Sequence, residues 1–80
     1  MITEQQLKAV ELRVNQAQTG PWTAHIEGRD HESGSNFIMA DKEDIELLGA
    51  TDADNDFIAN TRKDIPRLIQ EIRELRAIKK

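Results

Sequence analysis

The spacing of apolar residues near the C-terminus constrains the fold most strongly. Apolar residues recur there at intervals of three and four, which is the period of one face of an α-helix. They are Ile65, Leu68, Ile69, Ile72, Leu75 and Ile78. At about 100° per residue this face covers roughly half of the helix circumference, more than packing on a small core requires. We therefore expect Ile72, Leu75 and Ile78 to contact a second chain, with fraying of the helix end as the alternative.

The length and composition predict one small domain that has no covalent reinforcement. Eighty residues suit a single domain, and the sequence contains no cysteine, so no disulfide can form. No Cys/His cluster suggests a structural zinc ion. A core this small is expected to rely on close helix packing or on self-association, and we predict a homo-oligomer.

The charge and hydropathy exclude several classes of protein. A net charge of −4 argues against general DNA or RNA binding, because phosphate contacts need a basic surface. There is no apolar run of the length that a membrane span needs, so no membrane association is expected. The N-terminal residues carry neither a basic segment nor an apolar one, which argues against a signal peptide and favours a cytoplasmic protein.

Local patterns predict an α+β domain with an N-terminal helix, a short antiparallel hairpin or three-stranded sheet, and two C-terminal helices. The predicted elements are a helix over about 3–18, a β-hairpin region over 22–48, and helices over 52–62 and 64–79. Thr3 and Gln6 form a capping-box pattern, and Gly20 is expected to end the first helix in a left-handed conformation. Leu12 lies away from the apolar face of that helix and is a candidate partner contact.

Two segments of the chain are harder to interpret. Residues 45–48 fit either a third strand or a helical turn, and the nearby Gly49 favours a short strand. Ile65 precedes Pro66, and a residue before proline prefers an extended backbone, whereas proline suits a first helical turn. This pair therefore predicts a break between the two C-terminal helices.

No group of residues has the spacing of a catalytic or metal-binding centre. His25 and His31 have acidic neighbours, but they match no known ligand spacing. His25 is expected to face water from the first strand, and His31 belongs to the polar segment 28–36, which is predicted to be a mobile hairpin tip. The acidic residues between Asp41 and Asp56 have nothing that would fix a carboxylate pair. There is neither a nucleophile elbow nor a phosphate loop, so we predict a protein that is not an enzyme and has no cofactor or metal.

Trp22 is the single tryptophan, and packing in the core is its expected use. The alternative is a ligand site, in which Trp22 stacks on a base while Arg62, Lys63 and Arg67 contact phosphate.

Two motifs carry a family resemblance. The first is the turn Thr19-Gly20-Pro21-Trp22, and the second is the run from Ala53 to Ile69, which reads ADNDFIANTRKDIPRLI. Together they resemble small phage and prophage proteins of the ead-like early-region type, whose turn often has an additional proline between threonine and glycine. The resemblance covers most of the chain and is weakest from Thr23 to Ala50.

This resemblance implies a non-essential accessory protein of phage or prophage origin, which would work in the cytoplasm of the host cell. It suggests a non-enzymatic binding protein that sequesters or blocks a host factor, including factors of antiviral defence. A sponge for a nucleotide immune signal is the alternative, and a small hydrolase using His25 or the acidic turn is a third hypothesis.

Overall fold

The fold is known from a computed structural model that describes residues 1–32 and 34–78. Helix α1 spans Glu4–Gln16, strands β1 and β2 span Thr23–His25 and Phe37–Met39, and helix α2 spans Asp52–Ile78. The α+β class, the N-terminal helix and the antiparallel hairpin are as predicted. The molecule is elongated, with principal extents of 52 × 20 × 20 Å.

Reciprocal hydrogen bonds begin both helices. The hydroxyl of Thr3 accepts from the N–H of Gln6 at 3.0 Å, and the Gln6 side chain accepts from the N–H of Thr3 at 2.8 Å. Thr51 and Asp54 make the same exchange at 3.1 and 2.9 Å. Each pair satisfies two backbone donors that the first helical turn leaves open.

The C-terminal region is one helix, so the prediction of two helices was wrong. Pro66 lies inside α2, where it removes one backbone hydrogen bond. Asn55 and Ala59 are buried before the proline, and Ile69 is buried after it. A continuous helix buries all three side chains against the rest of the protein, which offsets the local cost of proline. The predicted helix end at residue 79 lies outside the described residues.

The sheet has two strands, in which Ala24 pairs with Ile38 and His25 with Phe37. The predicted third strand is reduced to one residue pair, since Ile45 and Ile38 exchange two backbone hydrogen bonds of 2.8 Å. Residues 46–48 continue as irregular chain and a turn, neither strand nor helix.

A small apolar core lies where the hairpin and both helices meet. Its members are Leu7, Ile26, Ile38, Ala59 and Ile69. One polar side chain, that of Asn55, is buried with them and donates to the backbone oxygen of Thr51 at 2.9 Å. The hairpin packs on the first half of α2, and α1 packs on the second half.

Helix α1 ends earlier, and in a different way, than predicted. Its last residue is Gln16, and Ala17 caps it with an extended backbone. Gly20 does not have the predicted left-handed conformation, because the described glycines with positive φ are Gly28, Gly34 and Gly49. A side chain from α2 fills this role instead: Arg62 Nη1 donates to the backbone oxygen of Val14 at 2.8 Å.

Polar contacts fasten the chain between the two strands to the start of α2. Both terminal nitrogens of Arg29 donate to Asp56, at 2.9 and 3.1 Å, and Asn36 donates to Asp52 at 2.9 Å. The Arg29 guanidinium lowers the pKa of the Asp56 carboxyl. The predicted mobile hairpin tip is therefore attached to α2 at the described residues on both sides of residue 33.

Candidate functional site

Two strongly exposed large apolar side chains form a patch at the start of α2. Leu48 is fully exposed, and Phe57 exposes 71% of its surface. Together with Ile58 they border a shallow depression whose other lining residues are Leu47, Gly49, Ala50 and Asp54. We call these residues the Leu48–Phe57 patch. An exposed apolar patch with a polar rim is typical of a protein-binding surface.

Local geometry explains why Leu48 points away from the core. Gly49 has a φ of +79°, a conformation that glycine adopts at no steric cost. It reverses the chain between Leu47 and Ala50, whose N–H lies 3.4 Å from the oxygen of Leu47. The capping box at Thr51 begins α2 directly after this turn, so the turn is fixed on both sides. The side chain of Leu48 therefore stays outside the core.

Acidic residues flank the patch. Asp54 lines it, and the exposed Glu46 and Asp52 are within two positions of its lining residues in the sequence. Lys42 is the one basic residue between positions 41 and 61. A partner that fits the Leu48–Phe57 patch would therefore combine an apolar centre with basic residues around it. Sequence analysis missed this surface, since one leucine and one phenylalanine nine residues apart show no periodic pattern.

The residues predicted to contact a second chain lie on two different helices. Leu75 and Ile78 are exposed on α2, at 52% and 79%, and Ile72 is partly buried beside them. Leu12 is 57% exposed and lies on α1, whereas the other three residues lie on α2. The structure thus leaves Leu75 and Ile78 accessible, and Leu68, which belongs to the same predicted apolar face, is also 57% exposed.

Three of the four predicted ligand-binding residues line one cleft. Trp22, Arg62 and Lys63 border a depression between the turn before β1 and the middle of α2. Its remaining lining residues are Gly20, Pro21, Thr23, Ala59 and Asn60. We call it the Trp22 cleft. Arg67, the fourth predicted residue, is exposed one turn further along α2 and does not line the cleft.

The Trp22 cleft has one aromatic side and two cationic side chains, of which one is held by a hydrogen bond. Trp22 is partly buried, and its indole Nε1 is shielded from solvent without a hydrogen-bond partner among the described residues. Arg62 is held by its contact with the Val14 backbone oxygen, so its guanidinium also has a structural role. Lys63 is exposed and pairs with no described residue, which leaves its ammonium group available to an anion.

Three rings stack on the hairpin, where the sequence suggested that His25 faces water. The His25 and Phe37 rings are parallel within 5° and 5.0 Å apart, and the His31 ring lies 5.1 Å from Phe37. His25 is partly buried, so the expected exposure was wrong: its ring covers Phe37 across the strand pair. In residues 1–32 and 34–78, no group of three or more His, Asp or Glu side chains could hold a metal ion.

No family model matches the sequence, and neither the curated proteins nor the solved structures gave a match. Over the part of the chain that the structure describes, no helix has both the length and the apolar content needed to cross a membrane.

Proposed function

We propose that this protein is a non-enzymatic binding protein that works as an oligomer and acts by sequestering or blocking another protein. The observation that supports this function best is the Leu48–Phe57 patch. A glycine turn and a capped helix start keep two large apolar side chains in solvent. Their hydration is unfavourable in free energy, and a partner that covers them would remove this unfavourable contribution. The acidic residues around the patch favour a partner with a basic surface.

The resemblance of the two motifs supports a phage or prophage setting for this activity. On that view the chain is an accessory protein in the host cytoplasm, and its target is a host factor, which includes factors of antiviral defence. The contacts that fasten the hairpin to α2 would present the patch as a preformed surface, so that binding requires little ordering of the chain.

Affinity capture from infected host cells tests the proposal. We expect the wild-type chain to recover a specific protein, which is then purified and titrated against the chain by calorimetry. Leu48→Asp should weaken that complex at least tenfold, because it places a charge in the centre of the apolar contact. Met39→Asp places the same charge at an exposed apolar side chain of β2, outside the patch, and should leave the affinity unchanged. Equal affinity for all three chains would refute the role of the patch.

A second function, capture of a nucleotide signal, is favoured by the Trp22 cleft. An aromatic face next to an exposed lysine and a partly buried arginine suits a base and its phosphate. Calorimetry with a panel of cyclic nucleotides tests this alternative. Lys63→Ala should weaken binding, whereas Arg67→Ala, which changes a cation outside the cleft, should have little effect. The absence of heat across the panel would eliminate this function.

A further inference from the structure

Because α2 is continuous through Pro66, its apolar residues form a single heptad pattern that a broken helix would not have. Ile58, Ile65 and Ile72 recur every seven residues. Thr61, Leu68 and Leu75 recur with the same period, three positions later. The six residues thus alternate at intervals of three and four along the helix, which is the spacing of the two contact positions of a coiled coil. We call them the α2 seam.

We propose that the α2 seam pairs with the α2 seam of a second copy of this chain, in parallel and in register. This inference rests on the oligomeric part of the proposed function, and it identifies the surface and the partner. β-Branched isoleucine at the first contact position with leucine at the second favours two parallel strands over higher oligomers. Three consecutive heptads meet the length at which such a pattern becomes significant.

The burial of the seam residues agrees with a face that lacks its partner. Leu68 and Leu75 expose 57% and 52% of their surface, and the three isoleucines are only partly buried. On one side the chain itself partly covers the seam: Ile72 and Leu75 border a depression with the N-terminal residues, and Thr61 and Ile65 border another with α1. The side facing away from α1 is open, so a second helix can lie against the leucines.

The polar residues along α2 do not interfere with this pairing. The hydroxyl of Thr61 donates to the backbone oxygen of Ile58 at 2.6 Å, so its polar atom stays satisfied when a second helix covers it. Pro66 follows Ile65 by one position, and at about 100° per residue it lies well away from the centre of the seam. Its ring therefore leaves the contact between the two helices free.

Charge complementarity selects the parallel orientation. In a parallel pair, the residue that directly precedes an isoleucine of one seam lies opposite a residue of the partner helix. That partner residue is the one that directly follows the next leucine of its own seam. Glu71 would thus face the partner's Arg76, and the two residues have opposite charges. Glu71 has no ion-pair partner among the described residues. The two terminal nitrogens of Arg76 already donate to Glu4 and to the backbone oxygen of Ile2, so its Nε–H, which bonds to no described residue, is the donor left for the partner's Glu71. In the antiparallel pair that aligns the full seams, Asp64 would instead face Glu71, which brings like charges together.

Light scattering on the full chain tests the seam. We expect twice the 9.1 kDa chain mass at high concentration. Leu68→Asp should give the monomer mass with unchanged helical circular dichroism, because this side chain is exposed in the single chain. Met39→Asp introduces the same charge at an apolar side chain of β2 that is 44% exposed, and this variant should remain dimeric. A monomeric wild type, or dissociation by Met39→Asp, would overturn the proposal.

The orientation has its own test, since the chain contains no cysteine. In a parallel pair Leu75 meets its own counterpart, so Leu75→Cys should form a disulfide-linked dimer in oxidising buffer. Glu71→Arg should raise the dissociation constant severalfold by facing the partner's Arg76. A dimer that Leu75→Cys fails to link would refute the parallel register. The seam and the Leu48–Phe57 patch share Ile58, but Leu68 belongs to the seam alone and Leu48 to the patch alone. Capture by Leu68→Asp and by Leu48→Asp therefore tests the dimer and the proposed function separately.

Discussion

The guanidinium of Arg62 and the backbone oxygen of Val14 are joined by a 2.8 Å hydrogen bond that links the middle of α2 to the end of α1. The two residues are 48 positions apart in the sequence. The carbonyl groups of a final helical turn lack partners within the helix and carry its negative dipole end, so a cation placed there stabilises the helix.

Removal of this contact should destabilise the fold. Arg62→Ala leaves the Val14 oxygen without its charged donor, and we expect a loss of about 1.5–3 kcal/mol in the free energy of unfolding. Urea titration followed by circular dichroism measures this loss. Lys63→Ala, at the exposed neighbouring position, is the control and should change stability by less than about 0.5 kcal/mol. Equal effects at the two positions would contradict the structural role of Arg62.

A side chain at Gly20 should reduce stability while Arg62 is in place. A Cβ atom at Gly20 would lie 3.0 Å from Cγ of Arg62, closer than van der Waals contact allows. Gly20→Ala is therefore expected to cost about 1–3 kcal/mol, the usual range for overpacking. The same substitution in an Arg62→Ala background should cost clearly less. An unchanged cost in the double variant would show that the two residues do not interact.

Pro66→Ala should stabilise the protein, because α2 is continuous at this position. Alanine restores the backbone N–H that proline lacks, and proline inside a helix costs about 3 kcal/mol. Proline also lines the groove between the helices, so some apolar contact is lost, and we expect a net gain of about 1–2 kcal/mol. If α2 were two helices meeting here, proline would occupy a favourable first turn, and the substitution would reduce stability.

Stability should fall in acid through carboxylates that pair with arginines. Hydrogen bonds from Arg73, supported by Arg76, lower the pKa of Glu4 from 4.5, and Arg29 lowers that of Asp56 from 3.8. The unfolded chain then binds more protons than the folded one, so this contribution is complete above those ordinary values. It is lost as the pH falls through the lowered pKa values.

Glu4→Gln and Asp56→Asn should each flatten the dependence of the urea midpoint on pH below these ordinary values. Added salt should reduce the same contribution, since the pairs are at the surface. Glu46→Gln is the control, because Glu46 pairs with no described residue and should leave the slope unchanged. If all three variants followed the wild-type curve, the ion pairs would make no contribution to acid stability.

Sequence patterns predicted the features of this fold that depend on neighbouring residues. The capping box at Thr3 and the period of the apolar face each involve residues within a turn or two of one another. Pro66 misled the prediction for the opposite reason. Its local preference for a helix start is outweighed by the burial of Ala59 and Ile69 on one helix, which only the tertiary structure shows.

The candidate sites were predicted in part, and the rest depended on contacts distant in sequence. Trp22 and Lys63 were chosen for their chemistry, and their common cleft arises because the turn before β1 packs on α2. Arg29 and Asp56 are 27 positions apart, and no local pattern pairs them. The α2 seam could not be recognised either, because its heptads continue only if the helix passes through Pro66.

The hairpin packs against one end of α2, and α1 packs against the other end. Neither region could be excised as an autonomous module, because each would lose the surface on which it packs. Heating should therefore melt the whole protein in one step, with equal calorimetric and van 't Hoff enthalpies. A destabilising substitution near Asp52 would then also lower the stability of the structure around Arg76. That residue lies about 36 Å away along the helix axis, at about 1.5 Å per residue.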